Sequence, residues 1–388
     1  MGDLEKYSDR VRKFLEILSS NKINKISVIK NTNAIAASSI IILFLKEKNF
    51  TLNFTDNIME ENTLVIDEKY ISFNDFKVEG LSSIFAYSLI KEANLENKFL
   101  NLILAVNNKE DVQDLIKEAF EKNLITEKNS FGFGGISRPI NNSLVMSIDP
   151  FIPGFSNNEP IVNEFLNSNS INHKHCFELN DNESEILNKA ALLRNPALIE
   201  LKKEKNYLIT NEDSPLTDLN EFNLFLEACV FLNKPSLIIA KTFMPKAYKN
   251  RAISIVKQYR DIFLDFLDWF YLNRKSNEII EKDSSIIIYS NKLANNKKAL
   301  ELVYKNFFNK QDKAIIGIFD LNDKTEILIY YKNYNSEYNI KKLTEELKES
   351  EFNIDKNFIE LKINKTEKER INVIILNNLE AAKVEQIA

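Results

Sequence analysis

The apolar positions of the chain fall into two rhythms, helical spacing and short unbroken runs. Residues 4–20 carry apolar side chains at helical spacing, which predicts an amphipathic helix. Ile26, Ser27, Val28 and Ile29 predict a short buried strand. Residues 34–45 (AIAASSIIILFL) are apolar on most faces and rich in Ala and Ile, which predicts a buried helix. Further strands are expected at 50–54 and 63–66, and helices at 81–93 and 111–123, with an apolar run at 99–106 between them. Strands alternating with helices predict an α/β fold, a parallel sheet with helices on both faces.

Residues 130–159 break this rhythm. The stretch holds Gly132, Gly134, Gly135 and Gly154 together with Pro139, Pro150 and Pro153. Such punctuation predicts an ordered, irregular crossing segment with fixed turns. Helices follow at 159–166, 183–194, 219–232 and 246–274. From about residue 284 the pattern reads strand 284–290, helix 298–308, strands 313–319 and 326–331, helix 340–350, strands 358–363 and 371–375, and helix 379–386. That is a small α+β domain, and the polar stretch 275–283 is its expected boundary. The expected division is an α/β domain over 1–195, a helical connector over 196–283 and the α+β domain over 284–388.

Composition narrows the function. The 388 residues are 44% hydrophobic and 28% charged, as in soluble globular proteins. A net charge of −5 argues against a coat for nucleic acid and leaves room only for a local basic groove. Cys176 and Cys229 cannot build a disulfide framework, which fits a reducing cytoplasm. The first residues lack the pattern of a signal peptide, and the longest apolar run is about half a membrane span. A cytoplasmic protein with no membrane partner is expected.

The candidate chemistry lies between the first strand and the buried helix, at the carboxyl end of a strand, where open α/β sheets place ligands. The turn offers Lys30, Asn31, Thr32 and Asn33. A phosphate cradle would need glycines there, and a divalent metal would need carboxylates or histidines. The two histidines, His173 and His175, come much later. With Cys176 they have soft-metal chemistry but no fourth ligand nearby, so a polar surface loop is expected. Asp67, at the end of a strand, is expected to cap a turn. Lys246, Lys249, Arg251, Lys257 and Arg260 are expected on a solvated helix face rather than along a DNA track. Phe263, Phe266, Trp269, Phe270 and Tyr271 are expected mostly in the core, and Arg138 with Asp149 is expected to fix the crossing segment as an ion pair.

The run SRPINNSLVMSIDPFIPGFSNNE resembles a segment of the archaeal RecJ-like DHH phosphoesterases, T-R-P-L…S-x-D-P-[FY]-I-P-G-[IV]-[ST]-x-x-E. Arg138, Pro139, Ser147, Asp149, Pro150, Phe151, Ile152, Pro153, Gly154 and Glu159 match. A second run, TDLNEFNLFLEACVFLNKPSLIIA, is similar to another segment of that family through Glu221, Phe222, Ala228, Cys229, Pro235, Ser236 and Leu237. The resemblance covers most of the chain. It points to the group that includes the GINS-associated nuclease and the homologues of cell-division-control protein forty-five, a subunit of the CMG replicative helicase. It implies a DHH phosphoesterase-like α/β domain and a C-terminal DHH-associated-type domain.

Active members of that family hold two Mn²⁺ or Mg²⁺ ions with Asp and His, which activate water and stabilise both reacting oxygens. Laid on this sequence, the motif H-x-D-x-D-G-x-x-S puts Lys30, Thr32, Ala34 and Ile35 where ligands and glycine belong, and keeps only Ser38. Asp67 answers to the Asp-His-His motif, with Glu68 and Lys69 in place of the histidines, or else to the Asp motif before it. Asn108 stands for the Asp of G-x-x-G-D. A cation and an amide cannot replace anionic ligands of a hard ion. The resemblance therefore implies vestigial positions, no cofactor and an inactivated phosphoesterase site. The family's Gly-Gly-Gly-His loop should follow the helix at 340–350, where the chain reads EFNIDKNFIEL without glycine. Its Ser-x-Arg strand falls on Tyr330, Tyr331 and Lys332, and Lys332 would contact DNA without the fork of an Arg. Taken together, the resemblance implies a non-catalytic subunit of the archaeal replicative helicase that bridges the GINS complex and MCM in DNA replication. The rivals are a metal-dependent single-strand exonuclease and a stand-alone single-strand DNA-binding protein, the latter opposed by the acidic net charge.

Overall fold

A computed structural model describes residues 7–20, 23–51, 53–55, 61–92, 100–107, 112–171, 174–198, 203–210, 212, 216–244, 246–290, 292–293, 296–311, 313–320, 324–331, 351–355 and 357–364. The chain forms two compact units, each assembled from several segments. The first takes Met1–Ser130, Gly135–Arg138 and Lys203–Tyr259, and the second takes Phe131–Gly134, Pro139–Lys202 and Arg260–Ala388.

The first unit opens with α1 (Ser8–Ser20), β1 (Lys25–Val28), α2 (Thr32–Glu47), β2 (Asn53–Phe54), β3 (Thr63–Ile66), β4 (Tyr70–Phe73) and β5 (Phe76–Glu79). Then come α3 (Ser82–Glu92), α4 (Leu100–Val106), α5 (Gln113–Glu121) and β6 (Ile125–Ser130). Its sheet has the order β2-β1-β3-β4-β5. The expected parallel core is there, since β1 runs parallel to both β2 and β3. It is extended by β4 and β5, which pair antiparallel and which the strand–helix alternation leaves out. Their apolar residues Ile71, Phe73, Phe76 and Val78 alternate inward. Asn74 makes the turn at φ 50°, a conformation that Asn adopts more readily than most residues. Of the strand expected at 50–54, Asn53–Phe54 is strand among the described residues. All four residues of β3 are buried, as in a strand covered on both faces. Helix α2 is buried along most of its length and packs on α3, β1 and β3, which is why it can be apolar nearly all round. Of the apolar run at 99–106, Leu100–Val106 is helix α4.

Helices α6 (Ile140–Val145), α7 (Glu159–Ser168) and α8 (Asp181–Arg194) belong to the second unit. The strand β7 (Glu204–Ile209) and helices α9 (Leu219–Phe231) and α10 (Ser236–Phe243) return to the first, where β7 pairs antiparallel with β6. The long α11 (Lys249–Asn273) gives residues to both units.

Among the described residues the second unit continues with β8 (Ile279–Glu281), β9 (Ser285–Tyr289), α12 (Lys297–Val303), β10 (Ala314–Asp320), β11 (Lys324–Tyr330), β12 (Glu351–Asp355) and β13 (Phe358–Asn364). They form one sheet, β12-β13-β11-β10-β9-β8, in which only β9 and β10 are parallel neighbours. Ile316, Ile318, Ile327, Ile329, Leu361 and Ile363 share its core. Strand β8 lies inside the polar stretch 275–283. The stretch EFNIDKNFIEL, where the family's Gly-Gly-Gly-His loop would fall and where this chain has no glycine, supplies β12 and the start of β13, which pair antiparallel. The helices expected at 340–350 and 379–386 and the strand at 371–375 lie outside the described residues. Among the described residues no helix is long and apolar enough to cross a membrane.

One ion cluster ties α3 to α5. The Glu118 carboxylate accepts from the Tyr87 hydroxyl at 2.8 Å, from Lys91 at 3.0 Å and from Lys122 at 2.7 Å. Burial alone would raise the carboxyl, but Lys122, Lys91 and Tyr87 outweigh it and hold it below the usual glutamate value. A depressed carboxyl contributes stability above its unfolded pKa and loses it as the pH falls through the folded value. Glu118→Gln is expected to cost roughly 1 kcal/mol at pH 7. Urea unfolding at pH 7 and at successively lower pH checks this, because the difference from the parent should shrink as the folded-state carboxylate becomes protonated.

Candidate functional site

The candidate site sits where β1 and β3 end and α2 begins. The Ile29 amide donates to Ile66 O at 2.9 Å, which carries the pairing one residue past β1. Asn31 then caps α2, its side-chain oxygen accepting from Ala34 N at 2.7 Å. Lys30 points into solvent, Thr32 is half-buried and Ala34 is buried. The Ser38 hydroxyl donates to Ile35 O at 2.8 Å, on its own helix. Asp67 accepts from Lys69 N at 3.0 Å, and its own amide donates to Tyr70 O at 2.9 Å. It caps the turn between β3 and β4, as its place at a strand end suggested. Asn108 lies outside the described residues.

Two amides that the motif positions do not include fill this place. Asn33 donates through Nδ2 to Asn107 Oδ1 at 3.1 Å. Asn107 donates through Nδ2 to the Ser83 hydroxyl oxygen at 2.9 Å and to Ile103 O at 2.9 Å. The Ser83 amide donates back to Asn33 Oδ1 at 3.0 Å, and the Ser82 hydroxyl reaches the same oxygen at 3.5 Å. The result is a closed ring of three residues, from the first turn of α2, the first turn of α3 and the end of α4. All three are buried. An amide can close such a ring because it carries both donor and acceptor, whereas a carboxylate only accepts.

The pair of Mn²⁺ or Mg²⁺ ions implied by the resemblance does not fit these residues. Hard divalent ions take several oxygen anions, and this site supplies self-satisfied amides, an alanine, a lysine and the single carboxylate of Asp67, which caps a turn. Among the described residues no group of three or more His, Cys, Asp and Glu is placed to hold a metal. His173 lies outside the described residues, while His175 stacks on Phe177 with ring centroids 5.3 Å apart. Cys176 is buried. Cys229 is buried within α9, and burial pushes its thiol up to about 12, which removes it as a nucleophile.

The crossing segment is held differently from the expectation. Arg138 donates to Glu221 at 2.6 Å, and Asp149 lies 3.5 Å from Lys305, so the two find other partners rather than each other. The sequence could not supply this pairing, because Glu221 is far along the chain on α9. Helix α9 begins at the same place with Asp218, whose carboxylate caps Asn220 N at 2.9 Å and accepts from Ile136 N at 2.7 Å. Gly135 has φ +108°, and a Cβ there would stand 2.9 Å from the Glu221 side chain, so only glycine admits this approach. In the second unit the Asp149–Pro150 peptide is cis. The Ser147 hydroxyl donates to Pro150 O at 2.6 Å, and the Ser156 hydroxyl donates to Ser147 O at 2.8 Å and accepts from Ile152 N at 2.9 Å. Pro153 and Gly154 fall in the turn that these bonds close, with Gly154 at φ +78°. Pro139 starts α6, its carbonyl accepting from Ser143 N at 3.0 Å.

Asn306 anchors that segment. It accepts from Phe151 N at 2.6 Å and donates to Ile148 O at 3.0 Å and Leu302 O at 2.9 Å. It stands in a π-helical turn, Tyr304–Phe308, that continues α12. Burial would lower Lys305, but the carboxylates of Asp149 and Glu301 outweigh it and hold the ammonium above its ordinary value.

The expected basic face of α11 is partly corrected. Lys246, Arg251 and Lys257 are exposed and Lys249 is half-buried, but Arg260 is buried and donates to Met146 O. Of the aromatic set, Phe263, Phe266 and Phe270 are core, Trp269 is half-buried and Tyr271 is exposed. Tyr330 and Tyr331 are buried, and Lys332 lies outside the described residues.

No protein-family model and no curated protein sequence matches the chain. Solved structures do. CDC45 from Entamoeba histolytica is 7% identical with a TM-score of 0.57, over 97% of this chain and 98% of that one. The DHH domain of a protein described as a ribosomal-protein family member is 9% identical with a TM-score of 0.53, over 98% and 92%. RecJ in complex with Mg²⁺ from Thermus thermophilus is 8% identical with a TM-score of 0.51, over 97% of this chain and 52% of that one. The likeness is one of fold. The chain has the α/β fold of the DHH-domain proteins, RecJ-like in architecture and shared with CDC45 along nearly its full length.

Proposed function

We propose, from a fold shared with CDC45 and RecJ, that this protein is a non-catalytic RecJ-like subunit of an archaeal replicative helicase that bridges the GINS complex and MCM. The single observation that carries the reading is the exchange of ligands at the end of β1. Where a two-metal phosphoesterase needs carboxylates and imidazoles, the chain places Lys30 in solvent, Ala34 in the core and an amide ring of Asn33, Asn107 and Ser83. A protein that keeps the framework while losing the ion ligands is suited to binding rather than to hydrolysis.

The test is a pull-down with tagged full-length protein against purified GINS and MCM, run beside a cleavage assay on labelled single strands with Mn²⁺. Capture of both partners without cleavage is expected. Mn²⁺-dependent cleavage that disappears in Asp67→Ala would establish the exonuclease instead, and failure to retain either partner would end the bridging role.

A further inference from the structure

We infer that the ring of Asn33, Asn107 and Ser83 is a clamp that works without ions, holding the first turns of α2 and α3 and the end of α4 together by uncharged hydrogen bonds alone. It rests on, and deepens, the reading of a site that takes no metal, and it is tested separately from partner binding.

Each of the three residues makes at least two hydrogen bonds. Asn33 lies on α2, Ser83 on α3 and Asn107 just past α4, so each bond of the ring joins two different elements. The donors run in one direction around it, Asn33 to Asn107, Asn107 to Ser83 and Ser83 back to Asn33. Asn33 and Asn107 each accept at Oδ1 and donate from Nδ2 of one amide, so the bonds that meet there polarise one another. Asn107 uses both of its amide hydrogens, the second on Ile103 O, and Asn33 Oδ1 takes two donors. A cluster of carboxylates here would hold only acceptors and would need a cation among them to offset their repulsion. The amides supply donor and acceptor together, so the compensation is internal. The site is therefore closed to ions by being satisfied, beyond merely lacking ligands.

Thermal unfolding of the full chain tests the clamp. The parent protein should melt at the same temperature in EDTA, in Mn²⁺ and in Mg²⁺. Asn33→Ala and Asn107→Ala should each lower the midpoint by roughly 4–8 °C, through orphaned buried partners. The double variant should lose clearly less than the sum, since both substitutions open the same ring. If either alanine variant does not fold, Ser83→Ala serves, because it removes only one acceptor, and a drop of roughly 2–4 °C is expected. Additive losses in the double variant, an unchanged midpoint in Ser83→Ala, or a parent midpoint raised by Mn²⁺ would overturn the inference. None of these readouts depends on GINS or MCM, so a failed pull-down would leave the clamp standing.

Discussion

Glu221→Ala should destabilise the first unit by about 3–5 kcal/mol, the range seen when one partner of a buried ion pair is removed. The carboxylate is 2% exposed and its Arg138 partner 15%, so solvent cannot take over from the missing anion. The loss reaches further than one ion pair. Glu221 and Asp218 together hold residues 135–138 against the start of α9, Glu221 through Arg138 and Asp218 through Ile136 N. Glu221→Gln keeps the shape and the acceptor and should lose about half as much. Urea unfolding at pH 7 gives both values. A loss under about 1 kcal/mol for the alanine variant would show that the pair is a bystander.

The second large effect is expected at Asn306. Asn306→Leu keeps the branched shape at a larger volume while removing every polar atom of a fully buried side chain. It strips partners from Phe151 N, Ile148 O and Leu302 O in one step. At about 1–3 kcal/mol for each orphaned buried group, partly relieved by relaxation, the cost should be about 3–5 kcal/mol. Hydrogen exchange supplies the specific signature. The Phe151 amide should lose protection well beyond amides elsewhere in the second unit. Uniform loss across the unit, with Phe151 no different, would place the role of Asn306 in packing alone.

The sequence carried the parts of the fold whose local pattern and long-range context agree. Helix α2, strand β3 and strands β9 to β11 are apolar in the period their surroundings demand, and they were legible. The β4–β5 hairpin was present in the alternation of Ile71, Phe73, Phe76 and Val78 around Asn74-Asp75, a turn signal that strand–helix alternation overrode. The pair β6 and β7 was not legible, because ITEKNS has little apolar character and its partner lies beyond three helices. The run that became α4 is short and apolar throughout, which periodicity alone cannot assign.

The site shows the same division. The absence of anions in the turn from Lys30 to Asn33 was readable from residue types. Which side chains fill the place was not, because that depends on helix phase. Thr32 and Ala34 hold the motif positions, yet Asn33 between them turns toward α3 and α4. Asn107, next to the motif position Asn108, plays the matching part. Arg138 was recognisable as structural, but its partner Glu221 becomes a neighbour only through the tertiary fold.

Amides bring a vulnerability that ion ligands lack, since asparagine is among the least heat-durable residues and hydrolyses slowly to aspartate. At Asn33 or Asn107 that single chemical event would delete a donor nitrogen and leave a negative charge in a dry interior. The enclosure that satisfies both side chains also keeps water and the mobile backbone needed for hydrolysis away from them. Loss of either amide should therefore require transient opening around α2, α3 and α4.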